Sequence, residues 1–446
     1  MVASESPQLP VESKWKFALR AFRHRNYRLF FIGQGISVIG NWMTSVAISW
    51  LVYRLTDSAF LLGLVGFSQQ IPLFLLGPIA GVWVDRLNRR RVLIVAQVLA
   101  MLQSLALAAL ALSGRISIGQ VLALCVFQGF INTFEMPGRQ AFVVEMIESR
   151  QDLSSAIALN STLVNGGRLI GPFLAGIIIH AASEGVCFLL DGLSYIAVIV
   201  SLCMMVLRPI EVTGERKHVW SELKEGFSYA LGFTPIRAVL LLLAVSGIFG
   251  MSYSVLLPIF AADILHGNAQ TLGLLMGAAG IGAVVGVLQL AARRSVVGLG
   301  RVISYCAALF GASLIAFAFS RWFWLSMLMM VLIGYSLMQQ LAGSNTFLQT
   351  IVEENKRGRV MSFYTMSIIG MTPLGSLLAG WLASRIGAPH TLVISGVVCI
   401  IAAGIFFSRL KVMRRLVRPI YVELGIIPEV ASGLQTATAL QTPPED

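Results

Sequence analysis

The sequence predicts an all-α integral membrane protein with twelve transmembrane helices in two six-helix, pseudo-symmetric halves. Three observations predict it. The 446-residue chain is 57% hydrophobic and 12% charged, with a mean hydropathy of +0.80, whereas a soluble domain carries about 25% charged residues. A bilayer core about 30 Å thick takes roughly 20 apolar residues per helix, and windows of that length recur twelve times. The longest polar interruption, 208–237, falls after the sixth window and divides them six and six.

The first window, 28–53, follows a basic arm (1–27) and has no small-residue cleavage site, so it reads as a retained helix and not a removable signal peptide. Windows 60–84, 92–113, 117–136, 155–180 and 186–207 complete an N-terminal bundle over 28–208. Gly and Pro inside several of them are compatible with membrane helices, where neighbours re-satisfy freed backbone groups. The linker 209–235 carries Trp220, Leu223, Phe227 and Ala230 at helical spacing, which predicts an amphipathic helix over Trp220–Ala230 on the membrane surface. Windows 237–262, 271–292, 301–319, 322–345, 360–384 and 389–409 form a C-terminal bundle over 236–410. The tail, 411–446, ends in Ala431-Ser432-Gly433 and Pro443-Pro444 and reads as partly disordered.

The net charge of +12 does not mark a nucleic-acid binder, because of where it lies. With the N-terminus cytoplasmic, Arg54, Arg115, Arg321 and Arg385 are the outer basic residues and Arg168 lies inside a span. Every other Lys and Arg falls on the cytoplasmic side, so the positive-inside rule puts both termini there. Contact with anionic lipid headgroups accounts for this charge without a protein partner. Cys125, Cys187, Cys203, Cys306 and Cys399 lie within spans with no C-x-x-C spacing and read as packing residues. The histidines are scattered, no phosphate-binding G-x-x-x-x-G-K-[ST] occurs, and neither a metal site nor a cofactor is expected.

The most specific motif is Gly81-Val82-Trp83-Val84-Asp85-Arg86-Leu87-Asn88-Arg89-Arg90-Arg91, between the second and third windows. It resembles the signature loop between helices 2 and 3 of the major facilitator superfamily of secondary transporters. The resemblance implies a cytoplasmic gate in which Gly81, Asp85, Arg86, Arg89 and Arg90 act across the halves, with Glu135 and Arg139 at the same end. Asn88 replaces the usual glycine; asparagine also tolerates a left-handed conformation. Phe134-Glu135-Met136-Pro137-Gly138-Arg139-Gln140-Ala141-Phe142, with Asp152-Leu153 and Ala158-Leu159-Asn160-Ser161, is similar to the helix 4–5 region of the enterobactin-exporter-like branch. Asn345 and Arg357-Gly358-Arg359-Val360-Met361-Ser362 fit the helix 10–11 counterpart. That branch contains siderophore exporters and multidrug or macrolide efflux pumps.

Gly167-x-x-x-Gly171-Pro172-x-x-x-Gly176 resembles the helix 5 antiporter motif of proton-driven exporters, with Ala158 and Ala175 where the family has glycines. Close helix packing through small residues is the other reading. Gly171-Pro172-Phe173-Leu174-Ala175-Gly176 aligns with Gly375-Ser376-Leu377-Leu378-Ala379-Gly380, a weak internal repeat.

Ionisable residues inside spans are functional candidates by default. Arg168 either binds an anionic group or switches partner with a carboxylate, or it fixes packing. Asp191, nearer the outer end of its helix, is a coupling candidate or a cap or outer-gate residue. Glu135 either carries a proton or pairs with Arg139 or the signature-loop arginines as a gate. Helices 1, 4, 7 and 10 line the cavity in this superfamily. Their polar stripes here are Gln34, Ser37, Asn41 and Ser45; Gln128, Asn132 and Glu135; Ser246, Phe249, Gly250 and Tyr253; and Ser336, Gln339, Gln340 and Ser344. An amide, hydroxyl and aromatic lining with little charge suits an amphiphilic or neutral solute.

The expected function is therefore secondary active export of an amphiphilic, drug- or siderophore-like molecule by alternating access, in exchange for protons. The expected setting is a bacterial inner membrane, with lipid around a monomer. A proton-independent facilitator or importer, and a transport-inactive sensor or scaffold, are the alternatives. A membrane-embedded enzyme would need a clustered His/Asp or Ser/His/Asp set, which the sequence lacks.

Overall fold

A computed structural model describes residues 20–147, 149–206, 228–251, 253–293 and 295–427. Most of the expected linker helix Trp220–Ala230, the arm before residue 20, the tail from residue 428 and the side chain of Asp85 lie outside the described residues. Twelve helices are long and apolar enough to cross a membrane. They are α1 (Arg25–Thr56), α2 (Ala59–Arg86), α3 (Arg89–Leu112), α4 (Ile118–Glu145), α5 (Arg150–Ala181) and α6 (Glu184–Met204). The second set is α7 (Thr234–Ile264), α8 (Ala269–Ala291), α9 (Leu299–Phe319), α10 (Phe323–Ile351), α11 (Lys356–Ile386) and α12 (Ala388–Glu423). The described residues contain no strand. The chain is a multi-pass, all-α membrane protein.

Local sequence sets the helix ends. Asn88 takes an extended conformation (φ −67°), not a left-handed one, and its side chain accepts from the Arg91 N–H at 3.1 Å to cap α3. Ser117 and Gln120 form a reciprocal capping box on α4. Gly387 (φ 85°) is the single residue between α11 and α12, at a backbone angle that excludes most side chains. Several helices outrun their apolar windows. α12 continues to Glu423, because Leu410, Met413, Val417 and Tyr421 keep one buried face after the charges begin. Hydropathy marks where a helix leaves hydrocarbon, not where its hydrogen bonding stops.

The chain forms two compact units. Unit 1 comprises Met1–Leu55, Ile71–Thr213 and Asn268–Gly277; unit 2 comprises Thr56–Gln70, Gly214–Gly267 and Ala278–Asp446. The first part of α2 therefore belongs with unit 2, and the start of α8 with unit 1. In unit 1, Gly273 of α8 lies against the Pro172 carbonyl and Gly176 of α5. In unit 2, Gly63 of α2 lies against Gly380 of α11. Gly176 and Gly380 are matching positions of the internal repeat; a Cβ at Gly380 would stand 2.7 Å from the Ala59 carbonyl and one at Gly176 3.0 Å from the Ala269 carbonyl.

Within unit 1, Tyr27, Phe142, Met146 and Leu202 pack together at the end bearing the α2–α3 loop, and the Tyr27 hydroxyl donates to the Ala156 carbonyl at 2.9 Å. In unit 2, Leu243, Ile303, Phe347, Leu348 and Phe406 form the main apolar cluster. Two helices there are interrupted. α7 carries π-helical turns at Ser246–Gly250 and Phe260–Ile264, and α11 carries one at Met366–Gly370. Such turns widen a helix locally and are frequent at functional sites. The first α7 turn meets the α11 turn, with Gly247 against the carbonyls of Ser367 and Ile368.

Candidate transport pathway and gate

The signature loop is held within unit 1 by groups the sequence reading did not single out. Arg89 pairs with Glu145 at 2.5 Å, and Arg90 donates to the Cys203 carbonyl at 2.7 Å. Arg86 is exposed and Gly81 has open space beside its Cα. Trp83 is exposed, with its ring 6.5 Å from that of Phe134. Among the described residues, the hydrogen-bond partners of Glu135 lie on α3 and α4 instead of in the loop. That carboxylate accepts from Arg139 and from Gln97 of α3, each at 3.3 Å. Glu145 and Gln97 were missed because each is an isolated polar residue near or within an apolar span, with no periodicity to flag it.

Further along α4, Gln128 donates to Asn132 at 3.0 Å, so Gln128, Asn132, Glu135 and Arg139 form two successive i,i+4 contacts. The α1 stripe divides. Gln34 and Ser37 are buried, Ser45 is half-buried, and Asn41 is exposed. Asn41 donates to the Ser37 carbonyl at 3.0 Å and accepts from the Tyr195 hydroxyl of α6 at 2.9 Å.

Asp191 caps no helix end. It is 1% exposed, between α1, α3 and α6. Its Oδ2 accepts from Thr44 at 2.9 Å and Ser104 at 2.6 Å, while Oδ1 has no hydrogen-bond partner. α1 can approach this closely because residue 40 is glycine, where an added Cβ would stand 2.6 Å from Asp191 Oδ1. No cationic side chain pairs with Asp191 among the described residues. Arg168 is not brought to it. The Arg168 guanidinium lies 5.8 Å from the centre of the Trp42 ring, a cation–π contact on α1. The α5 motif divides as well: Gly167 and Gly171 pack on α1 at Val38 and Trp42, whereas Gly176 packs on the start of α8. Pro172 is buried beside them. At the other end of α1, Arg54 grips Glu184 through two bonds of 2.9 and 3.2 Å.

In unit 2 the expected α10 stripe residues are buried. Ser336, Gln339, Gln340 and Ser344 are each no more than 3% exposed. Gln340 donates to Ser246, in the first π-helical turn of α7, at 2.8 Å. Gln339 donates to Gln289 of α8 at 3.0 Å, and Tyr335 donates to the same Gln289 oxygen. The amide oxygens of Gln339 and Gln340 and the Ser344 hydroxyl are buried without a partner. Gly250 and Tyr253 face Phe310 of α9 and Tyr253 is 4% exposed, so Tyr253 stands in the core of unit 2 and not on an open face; Phe249 is half-buried. The sequence reading missed Gln289, which lies on a helix outside the four scanned for stripes.

Twelve spans in two units, with buried polar clusters inside them, are the architecture of a multi-pass membrane protein. Residues 17–417 match the family described as transmembrane secretion effector, and the chain belongs to that family of the major facilitator superfamily. The staphyloferrin A transporter of Staphylococcus aureus is 26% identical over 385 residues, covering 86% of this chain and 96% of that protein. The multidrug efflux pump Tap of Mycolicibacterium fortuitum is 25% identical over 391 residues, covering 83% and 93%. A solved bacterial homologue of the human lysosomal transporter Spinster matches with a TM-score of 0.68 at 14% identity, over 86% of this chain and 96% of that one, which bears on the fold. The superfamily expected from the signature loop is thus the family found.

Proposed function

We propose that this chain exports an amphiphilic small molecule, drug- or siderophore-like, across the bacterial inner membrane in exchange for protons. It works as a monomer by alternating access, with both termini cytoplasmic. Its similarity to a staphyloferrin A transporter and a multidrug efflux pump supports the substrate class. So does the amide and hydroxyl character of the polar cluster in unit 2.

The observation that carries the proton coupling is Asp191. A charge deep in a membrane helix costs about 2.5–3.5 kcal/mol, and a hydrogen bond in such a setting returns about 0.6 kcal/mol on average. Donors from Thr44 and Ser104 leave most of that cost unmet; a bound proton removes the charge. Glu135, by contrast, faces Arg139 and serves as a gate residue together with Gly81, Asp85, Arg86, Arg89 and Arg90. Tyr195, one turn beyond Asp191 on α6, touches Asn41 on α1 and offers a route from the proton site to the stripe.

The test uses purified protein in liposomes with a panel of dyes, macrolides and catecholate siderophores. Substrate flux is recorded with and without an imposed proton gradient. Accumulation on the acidic side is the expected result. Movement down the substrate's own gradient alone would replace this reading with a facilitator. That alternative has one observation in its favour: each glycine of the α5 motif serves a helix crossing, so the motif does not by itself require antiport.

A further inference from the structure

A cavity of about 320 Å³ opens in unit 2 where the start of α9 meets α10 and the continuation of α12. Its floor is apolar, with Phe347, Leu410, Met413 and Val417. Its rim carries Arg301, Arg414 and Arg418, and no acidic side chain lines it. All three arginines are exposed. Among the described residues, none of the three guanidinium groups has a hydrogen-bond or ion-pair partner, although ion pairs occupy arginines elsewhere in the chain. Like charges gathered around one small cavity repel each other, and among the described residues no acidic side chain lines the cavity to offset that repulsion.

The level of the cavity in the membrane identifies what would. From Ala388 to Ser408, α12 has no Lys, Arg, Asp or Glu. At 1.5 Å per residue that stretch spans about 30 Å, the whole hydrocarbon core. Arg414 then sits about 9 Å beyond the core edge along the helix and Arg418 about 15 Å. Headgroups occupy roughly the first 5–8 Å on each side, and arginine stems extend their charge along the helix to reach that layer. On the same count Leu410 lies about 3 Å beyond the core edge, nearest the acyl chains, and Met413 about 7.5 Å, level with the headgroups. Positive charge at headgroup depth over an apolar floor matches one chemistry: a phosphate joined to a hydrocarbon chain.

We propose that this cavity is a binding site for an anionic phospholipid, with its phosphate among Arg301, Arg414 and Arg418, its glycerol backbone over Met413 and Val417, and an acyl chain running past Leu410 toward the core. The site is separate from the transport pathway and holds whatever the transported substrate is. α10 joins the two, since Phe347 lines the cavity and Gln340, two turns away, bonds to the π-helical turn of α7. A basic cluster near an anionic membrane surface contributes about 1 kcal/mol per residue, or roughly fivefold in affinity for each arginine.

The experiment is native mass spectrometry of the full-length protein titrated with phosphatidylglycerol or phosphatidylcholine. The wild type should retain one phosphatidylglycerol in preference to phosphatidylcholine. The triple variant Arg301→Gln, Arg414→Gln, Arg418→Gln should lose affinity by about 100-fold, the product of three such factors. A control triple, Arg409→Gln, Lys411→Gln, Arg415→Gln, removes the same charge from neighbouring α12 positions that do not line the cavity and should change retention less than threefold or so. A single Arg414→Gln, with an unfolding temperature matching wild type, should cost about fivefold and guards against misfolding of the triple. Equal losses in both triples would mean general surface attraction and overturn the site. So would equal retention of the two lipids, displacement by excess inorganic phosphate, or binding that arises only once residues 428–446 are removed.

Discussion

Units 1 and 2 solve the same local problem with different chemistry. Glu135 of α4 and Gln339 of α10 are repeat mates, 204 residues apart. Each is met by a glutamine from a neighbouring helix, Gln97 of α3 in one case and Gln289 of α8 in the other. Four residues on, unit 1 has Arg139, which pairs with its acid, and unit 2 has Gly343, which packs against Ile303. The contrast extends through both interiors. The buried charged side chains among the described residues, Asp191 and Glu184, are both in unit 1. The buried polar groups of unit 2 are amides and hydroxyls, set beside π-helical turns that unit 1 lacks among its described residues. Buried charge and π-helical turns thus fall in different units, the charge in unit 1 and the turns in unit 2.

The sharpest way to break this comparison is Asp191→Asn. The amide keeps the shape and can still accept from Thr44 and Ser104. The gradient-driven component of transport should vanish while exchange of substrate at equal pH persists. Gradient-driven accumulation that survives in this variant would remove Asp191 from coupling.

Placing unit 1 chemistry into unit 2 should be nearly as damaging, to the fold this time. Gln339→Glu puts a carboxylate in a buried position with no arginine four residues on. It should lower stability by about 2.5–3.5 kcal/mol, the cost of an unpaired charge in a membrane helix. Reversible denaturant unfolding in mixed micelles measures it, and a loss below about 1 kcal/mol would show that Gln289 and Tyr335 can hold a charge there.

The reverse exchange, Glu135→Gln, should be mild. It breaks a partly exposed pair worth at most about 1 kcal/mol, so rates should fall no more than about fivefold, with accumulation on the acidic side retained. Complete loss of accumulation would make Glu135 the proton carrier. Smallest of all, Arg54→Gln should change stability by less than about 1 kcal/mol, because Arg54 is 55% exposed although its partner Glu184 is only 8% exposed. A larger change would mean that this end of α1 is held by the pair itself.

Much of the fold was legible because a bilayer imposes one rule everywhere, a run of apolar residues long enough to cross. The α2–α3 loop was legible because four arginines cannot lie within hydrocarbon. Asp191 and Arg168 were visible as costly intramembrane charges, but their partners were not. Thr44, Ser104 and Trp42 are ordinary residues on other helices, and no periodicity in α5 or α6 records which face of α1 will meet them. The stripes on α1, α7 and α10 were read as lining. In the structure Gln34, Tyr253 and Gln340 are buried, and Gln340 bonds to Ser246 while Tyr253 packs on Phe310, because a polar side chain in a bundle can bond to a neighbouring helix as readily as it can face a cavity. The π-helical turns have no sequence signature beyond the glycines Gly247, Gly250 and Gly370.

The central claim is that Asp191 binds the coupled proton, and its most direct test is proton release on substrate binding. Purified protein in weakly buffered detergent is mixed with a substrate established by the liposome assay, and the pH change is read for wild type, Asp191→Asn and Glu135→Gln. The account predicts release by wild type and by Glu135→Gln and none by Asp191→Asn, with binding intact in all three. Undiminished release from Asp191→Asn would contradict it.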